Sequence, residues 1–216
     1  MTESRLIENV RNSYILLTMK LNVAKRILTI ASAMPEGVPL TAKSFLQLGS
    51  RSAIDQALSR LSCAGKLMRT GRGLYVLPVE SRFGKRAPAP EKVVGESAKL
   101  RGETIAPHGA AAANRLGLTT QVPMRTMYLT SGPSRKLKLG AQSIELKHVP
   151  SWQLTNAERE SGEVVRALAW NGRSQARETL ARLKRNLTPK VREELIASRS
   201  SLPGWLAEAI SLELAA

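Results

Sequence analysis

The chain has 216 residues, with 33 Lys and Arg against 17 Asp and Glu, a formal charge of +16 and a pI near 10.8. Hydrophobic residues make up 43% and aromatics only 4%, enough for one large domain or two small ones around an aliphatic core. A single cysteine excludes an internal disulfide framework, and with no membrane-length apolar run or secretory leader the expected setting is the cytoplasm.

Residues 1–19 read as an N-terminal arm, with Met19 an alternative start and a frayed helix the plain alternative. Val23, Ile27, Ile30, Ala31 and Met34 then recur as one face of a helix, which Pro35-Glu36-Gly37 stops. Thr41 caps a short helix carrying Phe45, Leu46 and Leu48, and Gly49 ends it. Ser50 caps a third helix whose Ile54, Ala57, Leu58 and Leu61 point one way. At about 100° per residue, Ser52, Gln56, Ser59 and Cys63 point the other way, with Arg60 beside them. A solvated helix usually carries long charged side chains on its outer face. Small polar residues with an amide and a guanidinium suit a DNA groove. After Gly65, Lys66–Arg69 and Leu74–Leu77 are two apolar runs joined by Thr70-Gly71-Arg72-Gly73, a tight hairpin with Arg69 and Arg72 at its tip. Helix followed by basic hairpin predicts a winged helix-turn-helix over residues 20–80; a generic helical bundle shares only the first three elements.

Residues 81–90 alternate proline with alanine beside a basic cluster and read as a stiff linker, in which Lys85 and Arg86 touch phosphates or are merely solvated. Residues 91–150 form a small α+β domain. Val93, Val94, Ala98 and Leu100 mark a helix, Thr104–Ala106 a strand, and His108–Leu116 an alanine-rich helix closed by Gly117. Three alternating stretches, Arg125–Thr130, Arg135–Leu139 and Ser143–Val149, then predict half-buried strands in an antiparallel meander. Residues 151–216 are helical. Val164, Val165 and Leu168 mark one helix and Ala176, Leu180, Leu183 and Leu187 the next. Thr188-Pro189 opens a third, and Trp205, Leu206, Ala209 and Ile210 mark the last. The fold class is α+β throughout: winged helix, α+β domain, C-terminal helices.

The charge is uneven. Residues 1–80 hold 11 basic and 5 acidic residues, residues 81–150 hold 12 and 4, and residues 151–216 hold 10 and 8. The first two parts therefore suit a polyanion, while the last has an ordinary mixed-charge surface. Catalytic material is thin. Asp55, the one aspartate, lies on the third helix, and His108 and His148 sit in different motifs. Glu158, Glu160 and Glu163 share a helix with Arg159 and Arg166 and read as a solvated face. Cys63 has no evident histidine partner, and His108 at a helix start reads as a cap. With no clustered carboxylates, Gly-rich phosphate loop or metal-ligand spacing, neither enzymatic activity nor a metal or cofactor is expected.

The run FLQLGSRSAIDQALSRLSCAGKLMRTGRGLYVLP resembles the N-terminal winged helix of AbiEi-type proteins, the antitoxins of type IV abortive-infection toxin–antitoxin pairs. The later run PHGAAAANRLGLTTQVPMRTMYLTSGPSRKLKLGAQSIELKH resembles the conserved block of their second domain. The resemblance implies a transcriptional autorepressor that binds promoter inverted repeats, as a homodimer or cooperatively, and counters a nucleotidyltransferase-like toxin. It also implies that Arg51, Ser52, Gln56, Ser59 and Arg60 face the groove while Lys66, Arg69 and Arg72 meet the backbone. Two other readings have their own signatures. A stand-alone regulator with a sensor domain needs a concave pocket within residues 91–150. A nuclease needs Glu103, Glu145 and Lys147 to meet across strands.

Overall fold

The structure, a computed structural model, describes residues 22–82, 84–121 and 125–214, so the arm of residues 1–19 lies outside it. The chain forms two compact units. One runs up to Ser97 and includes Lys138–Gln142; the other comprises Ala98–Leu137 and Ser143 onward.

In the first unit, α1 (Val23–Ser32) is capped by Asn22, whose side chain accepts the Lys25 N–H at 3.0 Å. A 3-10 helix, Ala42–Leu48, follows. Thr41 does not cap it by a side-chain bond to the backbone; its hydroxyl instead meets that of Ser44 at 2.9 Å. Helix α2 (Arg51–Cys63) starts as expected, with Ser50 Oγ accepting the Ala53 N–H at 3.3 Å. Its Ile54 and Leu58 are fully buried against Ile27 and Phe45 in an aliphatic core. Strands β1 (Met68–Gly71) and β2 (Leu74–Val76) form an antiparallel hairpin with a bulge between Arg69 and Gly71. Leu40 and Tyr75 exchange backbone hydrogen bonds at 2.7 and 3.0 Å, tying the hairpin to the segment before the 3-10 helix.

The expected linker over 81–90 is corrected by a second antiparallel hairpin, β3 (Val79–Ser81) with β4 (Gly84–Arg86), and by helix α3 (Pro90–Arg101). Pro90 does not extend a rigid rod. It occupies the first position of the helix, where the missing N–H costs nothing. Glu36 pins this segment from far back in the chain. Its carboxylate accepts the Ala89 N–H at 2.9 Å and the Lys92 ammonium at 2.5 Å, with Arg86 at 3.5 Å. The adjacent Gly37 has φ +89°, and a Cβ there would stand 2.8 Å from the Lys92 backbone.

In the second unit, β5 (Ile105–Pro107) leads into α4 (Gly109–Arg115), and β6 (Thr126–Thr130), β7 (Arg135–Leu139) and β8 (Gln142–His148) follow, the end of β7, the turn and the first residue of β8 (Lys138–Gln142) belonging to the first unit. The strands are where alternation predicts them, but they do not form an antiparallel meander. The order is β5-β6-β8-β7, with β6 antiparallel to β5 and parallel to β8. The four residues between β6 and β7 carry the chain past β8. Strands two places apart lie about 10 Å apart, within reach of four residues at about 3.3 Å each. The crossing is fixed to the end of β8: the His148 N–H donates to Ser134 Oγ at 2.9 Å, and His148 Nδ1 lies 3.0 Å from the Gly132 carbonyl.

Helices α5 (Glu160–Asn171), α6 (Arg173–Leu183), α7 (Pro189–Ser198) and α8 (Gly204–Leu214) complete this unit. The segments 91–150 and 151–216 were expected to be separate, yet most of both share it. Ala112 and Ala113 of α4 pack on Ala167 of α5, and a Cβ on Gly109 would stand 2.5 Å from the Arg166 carbonyl. Small residues let the two helices approach closely. The start of α5 is tied to α7 by Glu194, which accepts from Ser161 Oγ at 2.6 Å and from Arg159 at 3.0 Å. Among the described residues, no helix is long and apolar enough to cross a membrane.

Candidate nucleic-acid interface

The capped start of α2 and its buried stripe of Ile54, Ala57, Leu58 and Leu61 fix which side of the helix faces outward. Arg51, Ser52, Gln56, Ser59, Arg60 and Cys63 are all exposed there. They are not equivalent. Arg51 Nε donates to Asp55 at 3.0 Å, one turn on, so its charge is partly compensated. Arg60 Nη2 donates to Gln56 Oε1 at 3.4 Å. That contact uses one lone pair of the amide oxygen and leaves the other, with the whole NH2 group, free to read a base edge. Ser52 shares a 3.2 Å contact with the capping Ser50, and Ser59 adds little bulk, so the face is low enough for a groove.

The three hairpin cations differ as well. Arg72 is exposed in the turn between β1 and β2, next to Gly73 at φ +65°. Arg69 is not at the tip; it lies within β1, paired with Tyr75, and its Nε donates to the Gly71 carbonyl across the bulge at 3.3 Å. Lys66 is exposed between α2 and β1. Among the described residues, neither Lys66 nor Arg72 has a carboxylate partner. Their charge is available to a polyanion. Lys85 and Arg86 are exposed on the second hairpin but stand 3.6 and 3.5 Å from Glu80 and Glu36. Composition identified both cations and missed the partner of Arg86, because Glu36 is distant in sequence.

The residues considered for chemistry are dispersed. His108 caps α4, its Nδ1 accepting the Ala110 N–H at 3.2 Å. Burial, and then the Lys147 ammonium, hold its pKa below the usual 6.5, as a neutral acceptor requires. Glu163 pairs with Arg115 at 2.7 Å. Glu103 is nearly buried against Arg135 at 2.5 Å, whereas Glu145 meets Lys136 at 2.7 Å and shares a wall with Lys147. Glu145 and Lys147 are neighbours on one face of β8 and Glu103 is paired elsewhere, so the expected trio does not meet across strands. Among the described residues, no group of three His, Cys, Asp or Glu side chains could hold a metal ion. The solvated face expected to join Glu158, Glu160 and Glu163 with Arg159 and Arg166 is corrected: Glu158 and Arg159 precede α5, and Arg166 is fully buried. It donates to the Ala157 carbonyl at 3.1 Å, and burial pushes its pKa down to about 10.

No curated protein matches the chain. Its fold is similar to that in the crystal structure of the RV2827C protein from Mycobacterium tuberculosis. The similarity has a TM-score of 0.50 at 16% identity and covers 90% of this chain and 77% of that one. A family model described as a family of unknown function, DUF6088, matches residues 26–196, and the chain belongs to that family.

Proposed function

We propose that the first unit is a winged helix-turn-helix that binds double-stranded DNA, and that the protein is the autorepressing antitoxin of an AbiEi-like pair in the cytoplasm. The observation that carries the DNA-binding part is the exposed Gln56–Arg60 pair on a capped helix, followed directly by a bulged hairpin with unpaired Arg72 in its turn. The helix face reads bases and the hairpin holds the backbone. Promoter inverted repeats then bind two copies, as a homodimer or cooperatively. The antitoxin part rests on the resemblance of the second block to AbiEi-type proteins, and its partner is a nucleotidyltransferase-like toxin. In this reading the protein is not an enzyme and needs no cofactor.

The experiment is a titration of operator and scrambled duplexes at several salt concentrations. Gln56→Ala is expected to weaken operator binding by about 1–3 kcal/mol and to leave the scrambled duplex nearly unchanged. Arg72→Ala is expected to weaken both alike and to make the slope of log affinity against log salt shallower by about 0.9. Equal losses on both duplexes for Gln56→Ala would overturn the base-reading role, and an unchanged slope would overturn the backbone role. The toxin role is tested by whether a nucleotidyltransferase-like reading frame adjoins the gene and by co-expression of the chain with its product; absence of such a frame counts against the role. Growth as poor with the full chain as without it would refute that role. Purified protein is expected to leave DNA intact in the presence of divalent cations; cleavage abolished by Glu145→Ala would instead favour the nuclease reading.

A further inference from the structure

We propose that the open face of the four-stranded sheet in the second unit is a binding site for a nucleotide-sized phosphorylated ligand. A cavity of about 380 Å³ lies there, lined by Met127, Ser134, Arg135, Lys136, Glu145, Leu146 and Lys147. That volume is in the range of small-molecule sites, about 300–1,000 Å³. The parallel register pairs Met127 with Glu145 and Leu129 with Lys147, which puts these side chains on one face of the sheet. Two cations, Lys136 and Lys147, share that face with Glu145, and one of them is already engaged. Lys136 is paired with Glu145, whereas Arg135, the preceding residue of β7, points to the opposite face, where Glu103 holds it. Lys147 is exposed and, among the described residues, has no carboxylate partner. Its charge is felt instead by His108.

The ligand class follows from this mixture. A lysine ammonium is a point charge suited to phosphate. Glu145, which Lys136 and then Arg125 keep ionised, accepts hydrogen bonds and so asks for a hydroxyl or amino donor on the ligand. Met127, half-buried on the same face as Glu145 and Lys147, offers apolar surface for a ring. A bare phosphate ion meets only the first requirement; a nucleotide meets all three. The inference is independent of the DNA-binding reading, which uses residues of the other unit.

Calorimetric titration of the full chain with ATP, with inorganic phosphate and with a short single-stranded oligonucleotide tests it. ATP is expected to saturate a single site, with inorganic phosphate at least about tenfold weaker. Lys147→Glu should weaken ATP binding at least about tenfold, while Arg72→Ala leaves it unchanged. If the reversed charge unfolds the protein, as far-ultraviolet circular dichroism would reveal, Lys147→Gln replaces it with the same direction expected. The proposal is overturned by absence of saturable ATP binding at millimolar concentration or by indifference to both Lys147 variants. Loss of binding in Arg72→Ala also overturns it. Tighter binding of the oligonucleotide than of ATP, with the same dependence on Lys147, would make nucleic acid the ligand and equally overturn it. Operator binding, measured in parallel, shows separately whether the first unit works.

Discussion

Ser50 and His108 each do one local job that a single substitution can expose. Ser50 supplies the acceptor for the Ala53 N–H. Ser50→Ala is expected to cost about 1 kcal/mol, read as a lower urea midpoint with an unchanged slope. For His108 the sign follows from where the proton prefers to be. Burial and Lys147 depress its folded pKa below 6.5, so the unfolded chain takes up a proton before the folded protein does. The stabilising effect is therefore complete above about 6.5 and is lost as pH falls from there toward the lowered folded value. Thermal melts across that window should show the decline, and His108→Gln should flatten it. Glu36, Glu145 and Glu194, held low mainly by their hydrogen bonds to Lys92, Lys136 and Ser161, act in a separate, more acidic window below the usual 4.5. Their contribution is present above that value and disappears as pH falls through their lowered folded values. The outward face of α2 was legible in the sequence because a helix has one period, and Ile54, Leu58 and Leu61 fix its phase. The position of Arg69 was not, because the bulge shifts the register by a residue that alternation does not reveal.

The loop between β6 and β7 decides the sheet. Glu103 holds it from before β5, accepting from Arg135 at 2.5–2.9 Å and from Thr130 Oγ at 3.2 Å. Arg135 and Glu103 expose only 15% and 9% of their side chains, so the pair is shielded from screening water. Glu103→Ala would strand a guanidinium in the interior and is expected to cost about 3–5 kcal/mol in chemical denaturation. Loss of under about 1 kcal/mol would mean the loop is held by other means. Strand existence was legible, since Arg135–Leu139 and Ser143–Val149 alternate cleanly. Strand order was not, because alternation says which face a side chain takes and nothing about which neighbour its backbone joins. The Pro-Ala stretch misled for a related reason. Its composition suits a free rod, and the carboxylate that pins it, Glu36, is 53 residues away from Ala89. Caps are local and were read correctly at Ser50 and at Thr188, where Oγ1 accepts the Val191 N–H at 3.4 Å.

The boundary between the two units does not coincide with any single point in the chain. Composition alone placed divisions near residues 80, 90 and 150, whereas the first unit closes only when Lys138–Gln142 is added to it. Within that unit, a Cβ on Gly140 would stand 3.3 Å from the Met68 methyl, so the returning segment lies close against β1. A chain ending after Ser97 is expected to melt at a lower temperature than the intact protein and to bind operator more weakly for that reason. Equal melting temperatures would show the returning segment to be dispensable. The same arrangement sets a schedule for synthesis. A ribosome that has released Ser97 must add a further 45 residues before Gln142 is available. At about 5–20 residues per second, that is a delay of roughly 2–9 s. Throughout that interval the nascent chain presents the basic hairpin of β1 and β2 without its last supporting segment, so a regulator of its own promoter would be born unable to act on it at full strength.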